Sequence, residues 1–179
     1  LTKKDENLPI IRPETPDDLA AIYTVNEQAF GRRGEADLVD VIRKSEHFIP
    51  QLSLVAEVDG RVVGHILFSR IHIETDQGRV PALALGPMAV LPGYQRQGIG
   101  SKLVREGLQA CRQLGHALVV VLGHPNFYPR FGFSAHLARS LTCPFGDCGN
   151  AWMAHELVPG SLQGIRGRVV YPPVFDSVS

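Results

Sequence analysis

The spacing of apolar positions changes several times along the chain, and each change predicts an element. Residues 8–12 are a short apolar run and predict an opening strand. Leu19, Ile22, Tyr23, Asn26 and Phe30 then recur at helical spacing. The start of this helix is marked by Thr15-Pro16-Asp17-Asp18. Threonine caps free amides, proline suits the first helical position, and aspartates suit the positive end of the helix dipole. Gly31 should end the helix. A second helix is predicted over 35–44, with Leu38, Val39 and Ile42 inward. The pattern then becomes β-rich. Strands are predicted over 52–58 and 61–74, joined by Asp59-Gly60, a two-residue hairpin turn. A third strand over 80–90 follows the turn at Thr75-Asp76-Gln77-Gly78 and completes a meander.

Helical spacing returns over 99–114, where Leu103, Val104, Leu108, Cys111 and Leu114 make a stripe. Lys102, Arg105, Glu106, Gln109 and Arg112 are expected to face solvent. Residues 117–122 are continuously apolar, as in a strand buried on both faces. A helical turn over 126–131, an extended piece at 133–135, a loop over 140–150 and a last strand over 151–158 follow. The Gly- and Pro-rich tail after Pro159, with Tyr171-Pro172-Pro173, reads as an extended segment packed on the rest without regular structure. The class is α+β, a mixed and mostly antiparallel sheet of six or seven strands flanked by helices.

Composition narrows the partners. The 179 residues make one domain, with a core over 8–158 and a tail over 159–179. With 44% hydrophobic and 20% charged residues the chain is not a disordered one. Eighteen basic and eighteen acidic residues cancel, which argues against a nucleic-acid coat or a polybasic membrane binder. The apolar runs 82–91 and 117–123 are too short to span a bilayer, and residues 1–7 lack the apolar core of a signal peptide. The chain opens on Leu1 rather than Met, so residues are expected upstream of it. Cys111, Cys143 and Cys148 do not make a disulfide framework, so free thiols in a reducing, cytoplasmic setting are expected. His136, Cys143, Cys148 and His155 have poor zinc spacing, and no metal is assigned. His65 and His72, seven apart on one strand, face opposite sides and are not a ligand pair. Arg32-Arg33 reads as a solvated loop and Trp152 as core.

The chemistry concentrates where the strand over 80–90 runs into a glycine-bearing loop that opens a helix. Amides at a helix start lack intrahelical partners and carry partial positive charge, and glycines let an anion approach them. This is a phosphate cradle. Gly93 and Gly98 have Walker spacing, but Ile99-Gly100 stands where Lys-Ser/Thr is needed, which disfavours an NTP-hydrolysing P-loop. Gly98 and Gly100 begin a dinucleotide pattern, but Leu103 replaces its third glycine.

Gln95-Arg96-Gln97-Gly98-Ile99-Gly100 does fit Gln/Arg-x-x-Gly-x-Gly/Ala, and so resembles the pyrophosphate loop of the GNAT acyl-CoA N-acyltransferases. Met88-Ala89-Val90-Leu91-Pro92 upstream and Tyr128-Pro129-Arg130-Phe131-Gly132-Phe133 downstream resemble the flanking signatures of that family. The match is specific over 80–133 and is supported by element order before it. The resemblance implies a GNAT fold whose fourth and fifth strands splay, and an acetyl-CoA-dependent N-acetyltransferase of a predominantly bacterial branch with no assigned acceptor. It implies acetyl-CoA held by Met88, Ala89, Val90, Gln95, Arg96, Gln97, Gly98, Ile99, Gly100 and Ser101, with Lys102 as a further phosphate neighbour. It implies Tyr128 as the acid that protonates the departing thiolate. A family asparagine before that tyrosine has no counterpart; Val121 stands near its place and Asn126 is the nearest amide. Glu27, Glu74, His72 and His124 are candidates for the base. The acceptor is expected to be a small-molecule or peptide amine, and monomer and homodimer are both left open. The rival reading is a sensor domain of the same fold that binds CoA species without turnover.

Overall fold

Strand pairing follows the predicted order through the first half of the chain. β1 (Ile10–Pro13), β2 (Phe48–Val58), β3 (Arg61–Thr75) and β4 (Gly78–Val90) lie antiparallel, each to the next. Asp59 and Gly60 turn the chain with φ of 51° and 77°, the left-handed pair that matches strand twist. Helix α1 (Leu19–Phe30) and helix α2 (Gly34–Arg43) precede the meander, and helix α3 (Ile99–Gln113) leads from β4 to β5 (Leu118–Leu122). This crossover makes β5 parallel to β4, and β7 (Trp152–Glu156) closes antiparallel on β5. The computed structural model describes residues 8–176. The reading of residues 1–7 lies outside the described residues.

Period-two alternation divides the sheet into two faces. Leu54, Ala56, Ile66 and Phe68 point to one face, where Leu103, Val104, Leu108 and Cys111 of α3 cover them. Val55 and Leu67 point to the other, against Ile22 of α1 and Val39 and Ile42 of α2. Before α1, Asp18 bonds the Thr15 amide at 2.7 Å and takes two bonds from Arg12, at 2.7 and 3.0 Å. These bonds hold its carboxyl down at about 2.

Four expectations are corrected. Among the described residues the sheet has eight strands, because β6 (Leu141–Thr142) and β8 (Gly167–Val170) form in the predicted loop and tail. β8 pairs with β3 over His72–Glu74, just past the stretch that β2 covers, so pairing rather than its own pattern makes it a strand. The extended piece at 133–135 is a single bridge from Ser134 to Ala154. Leu114 falls one residue past α3 and is exposed, out of the stripe. Cys143 and Cys148 are joined in a disulfide, where free thiols were expected: the turn between them brings their Cα atoms to 6.6 Å. Among the described residues no helix is long and apolar enough to cross a membrane.

Candidate functional site

The site begins where pairing stops. β4 and β5 are matched only at Leu83–Val119 and Ala84–Val120. Beyond these pairs a bulge opposite Ile66–Phe68 shifts the register of β4, which continues along β3 to Val90 while β5 stays with β7. The gap is part of a cavity of about 1010 Å³. The Leu91 amide bonds Val63 O at 2.8 Å, so alternation turns the main-chain groups of Val90 and Met88 away from β3, into the gap. The Gln95 side-chain amide donates to the Val90 carbonyl at 2.9 Å, and the Val90 and Met88 amides are left facing the opening.

The loop after β4 turns through a short 3-10 segment, Pro92–Tyr94. Arg96 and Gly98 then take left-handed φ of 62° and 84°, and Gly98 caps α3. A side chain at Gly98 would be strained by the backbone, although the space beside it is open. The Lys102 amide bonds Gly98 O at 3.1 Å, the first bond of the helix ladder. The amides of Ile99, Gly100 and Ser101 therefore lack helical partners. Gln95, Arg96, Gly98, Ile99, Gly100 and Ser101 line the cavity with Met88, Ala89 and Val90. Gln97 does not, and its side chain bonds back to Gly93 O at 3.4 Å. Lys102 is also turned away, onto Pro9 O at 2.5 Å. Arg130, which the sequence reading did not select, lines the cavity with its guanidinium 4.8 Å from the Phe127 ring centroid.

Tyr128 opens a 3-10 turn, Tyr128–Phe131, after β5. Its ring packs closely on Gly123, where a Cβ would stand 2.4 Å from a ring carbon, and meets Phe127 and Phe133 edge-on at 5.0 and 5.6 Å. Its hydroxyl has no hydrogen-bond partner among the described residues. Burial pushes its pKa up to about 12, so the phenol is protonated at neutral pH. A thiolate formed in the same desolvated space is raised as well, which narrows the difference in acidity across which a proton would pass.

Of the four base candidates, the structure brings His124 to the cavity. Glu27 lies 3.7 Å from Arg33, and His72 stands 3.6 Å from Glu74 on the far part of β3. Val121 lines the cavity, whereas Asn126 is exposed outside it. Glu35, at the start of α2, lines the cavity unforeseen. Its carboxylate pairs with Arg32 at 2.5 Å, and that bond holds it below the usual carboxylate range. Phe30, Phe145, Tyr171 and Phe175 line the cavity too, and Phe175 packs on the cluster that α1 and α2 form with the sheet. The one clue to them in the sequence is a phenylalanine, Phe145, set in a polar turn between Pro144 and Gly146-Asp147. Trp152 is core, its indole N–H donating to Leu141 O at 3.0 Å.

Beneath the cavity floor, opposite Ala89, His65 is fully buried. Asn26 Nδ2 donates to its Nδ1 at 3.2 Å, and its Nε2–H then donates to Ser53 at 2.9 Å, whose hydroxyl bonds Glu14. Glu14 in turn pairs with Arg43 at 2.8 Å. Burial, and then Arg43, push the imidazole down to about 3, so it stays neutral and acts as a fixed brace. Among the described residues no group of three His, Cys, Asp or Glu gathers to hold a metal.

A family model described as an acetyltransferase (GNAT) domain matches residues 10–136. The uncharacterized N-acetyltransferase YhbS of Escherichia coli is 34% identical over 93% of this chain and 98% of its own length. The crystal structure of YhbS with CoA superposes with a TM-score of 0.87, covering 95% of this chain and 93% of that one. A GNAT acetyltransferase from Brucella melitensis, solved with acetyl-CoA, is 35% identical with a TM-score of 0.78, over 95% and 99% of the two chains. The uncharacterized N-acetyltransferase YjhQ of E. coli is 42% identical over 65% of this chain, and the match spans 64% of that protein.

Proposed function

The chain belongs to the GNAT acetyltransferase family, and from that premise we propose that it transfers the acetyl group of acetyl-CoA directly to an amine. The observation that carries the reading is the end of β4–β5 pairing at Ala84–Val120, which leaves strand edges open beside a helix start. The pantetheine arm would add to β4 as a strand does, on the Met88 and Val90 main chain beside Ala89. The unpaired amides at the start of α3, from Gln97 to Ser101, would take the pyrophosphate, with Arg96 and Arg130 adding charge. For Gln97 the contribution is the main-chain amide, since its side chain turns away.

Tyr128 would protonate the departing thiolate, a role supported by its place in the cavity and its unpartnered hydroxyl. His124 is the base candidate supported by position, taking a proton from the amine directly or through water. We read residues 1–179 as one domain acting in the cytoplasm, where acetyl-CoA is made and used, with an amine rather than a nucleic acid or a membrane as its partner. Titration calorimetry with CoA and ATP, followed by assay of free CoA released with a panel of amines, tests the reading. CoA binding with release is expected. Preference for ATP would overturn the reading, and binding with no release to any amine would turn it toward a sensor.

A further inference from the structure

The cavity extends past the loop and β4 to a second end that the transfer reading leaves unassigned. Its walls come from the α1–α2 corner on one side and from the Cys143–Cys148 loop and the tail on the other. The tail is brought there by β8, which lies along β3. Tyr171 follows β8 directly, and its ring meets Phe145 and Phe175 edge-on, each at 4.9 Å. Exposed apolar rings are costly, and a set of them gathered in one concavity marks a binding site. The two exposed phenylalanines among the described residues, Phe30 at 41% and Phe145 at 50%, both stand here.

The polar groups at this end are few. Glu35 is the one carboxylate lining the cavity among the described residues, and Arg32, its partner, is largely exposed. Arg32 bonds both oxygens of Glu35 and lines the cavity beside it, so an ammonium that reaches Glu35 shares the carboxylate with the guanidinium. The Tyr171 hydroxyl has no hydrogen-bond partner among the described residues. A polyamine or an aminosugar would call for several carboxylates, and a phosphorylated amine for a free cationic fork. One carboxylate set among aromatic faces suits one ammonium on a flat apolar body, since ring faces attract cations and ring edges pack on rings.

We propose that the acceptor is a monoamine carried on an aromatic body, its ring packed among Phe30, Phe145, Tyr171 and Phe175 and its ammonium placed by Glu35. The assignment rests on the acetyl-transfer reading and specifies its substrate class. The ammonium loses one proton to base and solvent. The amine nitrogen bonds the thioester carbonyl carbon, the carbon–sulfur bond breaks, and the sulfur takes the second proton as CoA thiol.

The test uses the full chain, with 2-phenylethylamine, n-butylamine and spermidine as amines and 2-phenylethanol as the uncharged analogue. CoA affinity is measured first by calorimetry, then amine affinity on the CoA-loaded protein, then CoA release. We expect 2-phenylethylamine to bind at least about tenfold more tightly than n-butylamine or spermidine, a difference of about 1.4 kcal/mol. Phe145→Ala should raise KM for 2-phenylethylamine about tenfold while KM for acetyl-CoA and kcat stay within about threefold. Phe145 is half exposed, so this variant is expected to fold. Glu35→Gln should weaken 2-phenylethylamine but not 2-phenylethanol. Loss of CoA binding in the wild-type protein would bring down the transfer reading and this assignment with it. CoA binding with equal or weaker affinity for the aromatic amine would overturn this assignment alone, as would an unchanged KM in Phe145→Ala.

Discussion

At one end of the cavity the groups we assign to CoA are mostly main chain of a single stretch, residues 88–101, with the Arg96 and Arg130 side chains beside them. At the other they are side chains, Phe30, Glu35, Phe145, Tyr171 and Phe175, drawn from three separate parts of the sequence. The first end exploits what secondary structure leaves unpaired, a strand edge without a neighbour and a helix start without carbonyls. Such an end depends on backbone conformation and tolerates most side-chain changes. The second end depends on which side chains stand there, and it can be rebuilt without disturbing the first. Tyr128 sits at the join, on a turn that leaves β5 and against the glycine that ends it.

Tyr128 offers the largest effect. Tyr128→Phe keeps the ring that packs on Gly123 and removes the proton source. Turnover should fall by about 10²–10⁴ while CoA affinity, measured by calorimetry, holds. Loss of both together would make the residue part of the binding end and erase the join. Next in size is Leu103, fully buried where α3 meets the sheet. Leu103→Ala should cost about 2–5 kcal/mol in denaturant unfolding. A cost near zero would mean that α3 is not what fixes the loop.

Asp18 supplies a change remote from both ends. Its carboxyl lies below 3.8, at about 2, because Arg12 and Thr15 bond the ionised form. A lowered folded-state pKa gives stability that is present in full above the ordinary carboxylate value and is lost as pH falls through about 2. The contribution is about 2 kcal/mol. Asp18→Asn should remove most of it at pH 7 and flatten the acid limb between pH 4 and about 2. Residual activity should be unchanged in both CoA and amine affinity where the variant is folded. A shift in either affinity would show that the β1–α1 corner reaches the cavity.

Gly98→Val comes next. The residue would be held at φ 84°, which costs a branched side chain about 1–2 kcal/mol. CoA affinity should drop about tenfold or more, while 2-phenylethylamine keeps its preference over n-butylamine. Wild-type CoA affinity in a folded variant would move the cradle elsewhere.

The two ends also differ in how far sequence alone reveals them. The conformation of the loop is legible because it is local: a positive φ at Gly98 and the helix start beside it call for glycine at fixed places in one stretch. The stripe on α3 was readable because burial enforces a period, and it failed only at Leu114, where the helix had ended. Glu35, Phe145 and Tyr171 were not, because their meeting depends on β8 finding β3 past the end of β2. Four residues between glycines and prolines carry no period that announces such pairing. The same holds for His65. Its place on a strand was legible, but Asn26, Ser53 and Glu14 reach it from elements far apart in sequence. The Cys143–Cys148 bond is not legible from cysteine count, because it depends on the turn that brings the two residues together.

The smallest expected effect tests the contrast most directly. The Met88 side chain rests against the start of α3, since a Cβ on Gly100 would stand 3.4 Å from its terminal methyl. What Met88 would offer to CoA, however, is its amide. Met88→Leu conserves volume and leaves that amide in place, so its cost in stability should stay below about 1.5 kcal/mol. CoA affinity should stay within about threefold of wild type, a change under about 0.7 kcal/mol. Phe145→Ala, at the other end, is expected to change amine KM by more than this. A tenfold loss of CoA affinity in Met88→Leu would mean that a side chain shapes the pantetheine path, and the two ends would no longer differ in kind.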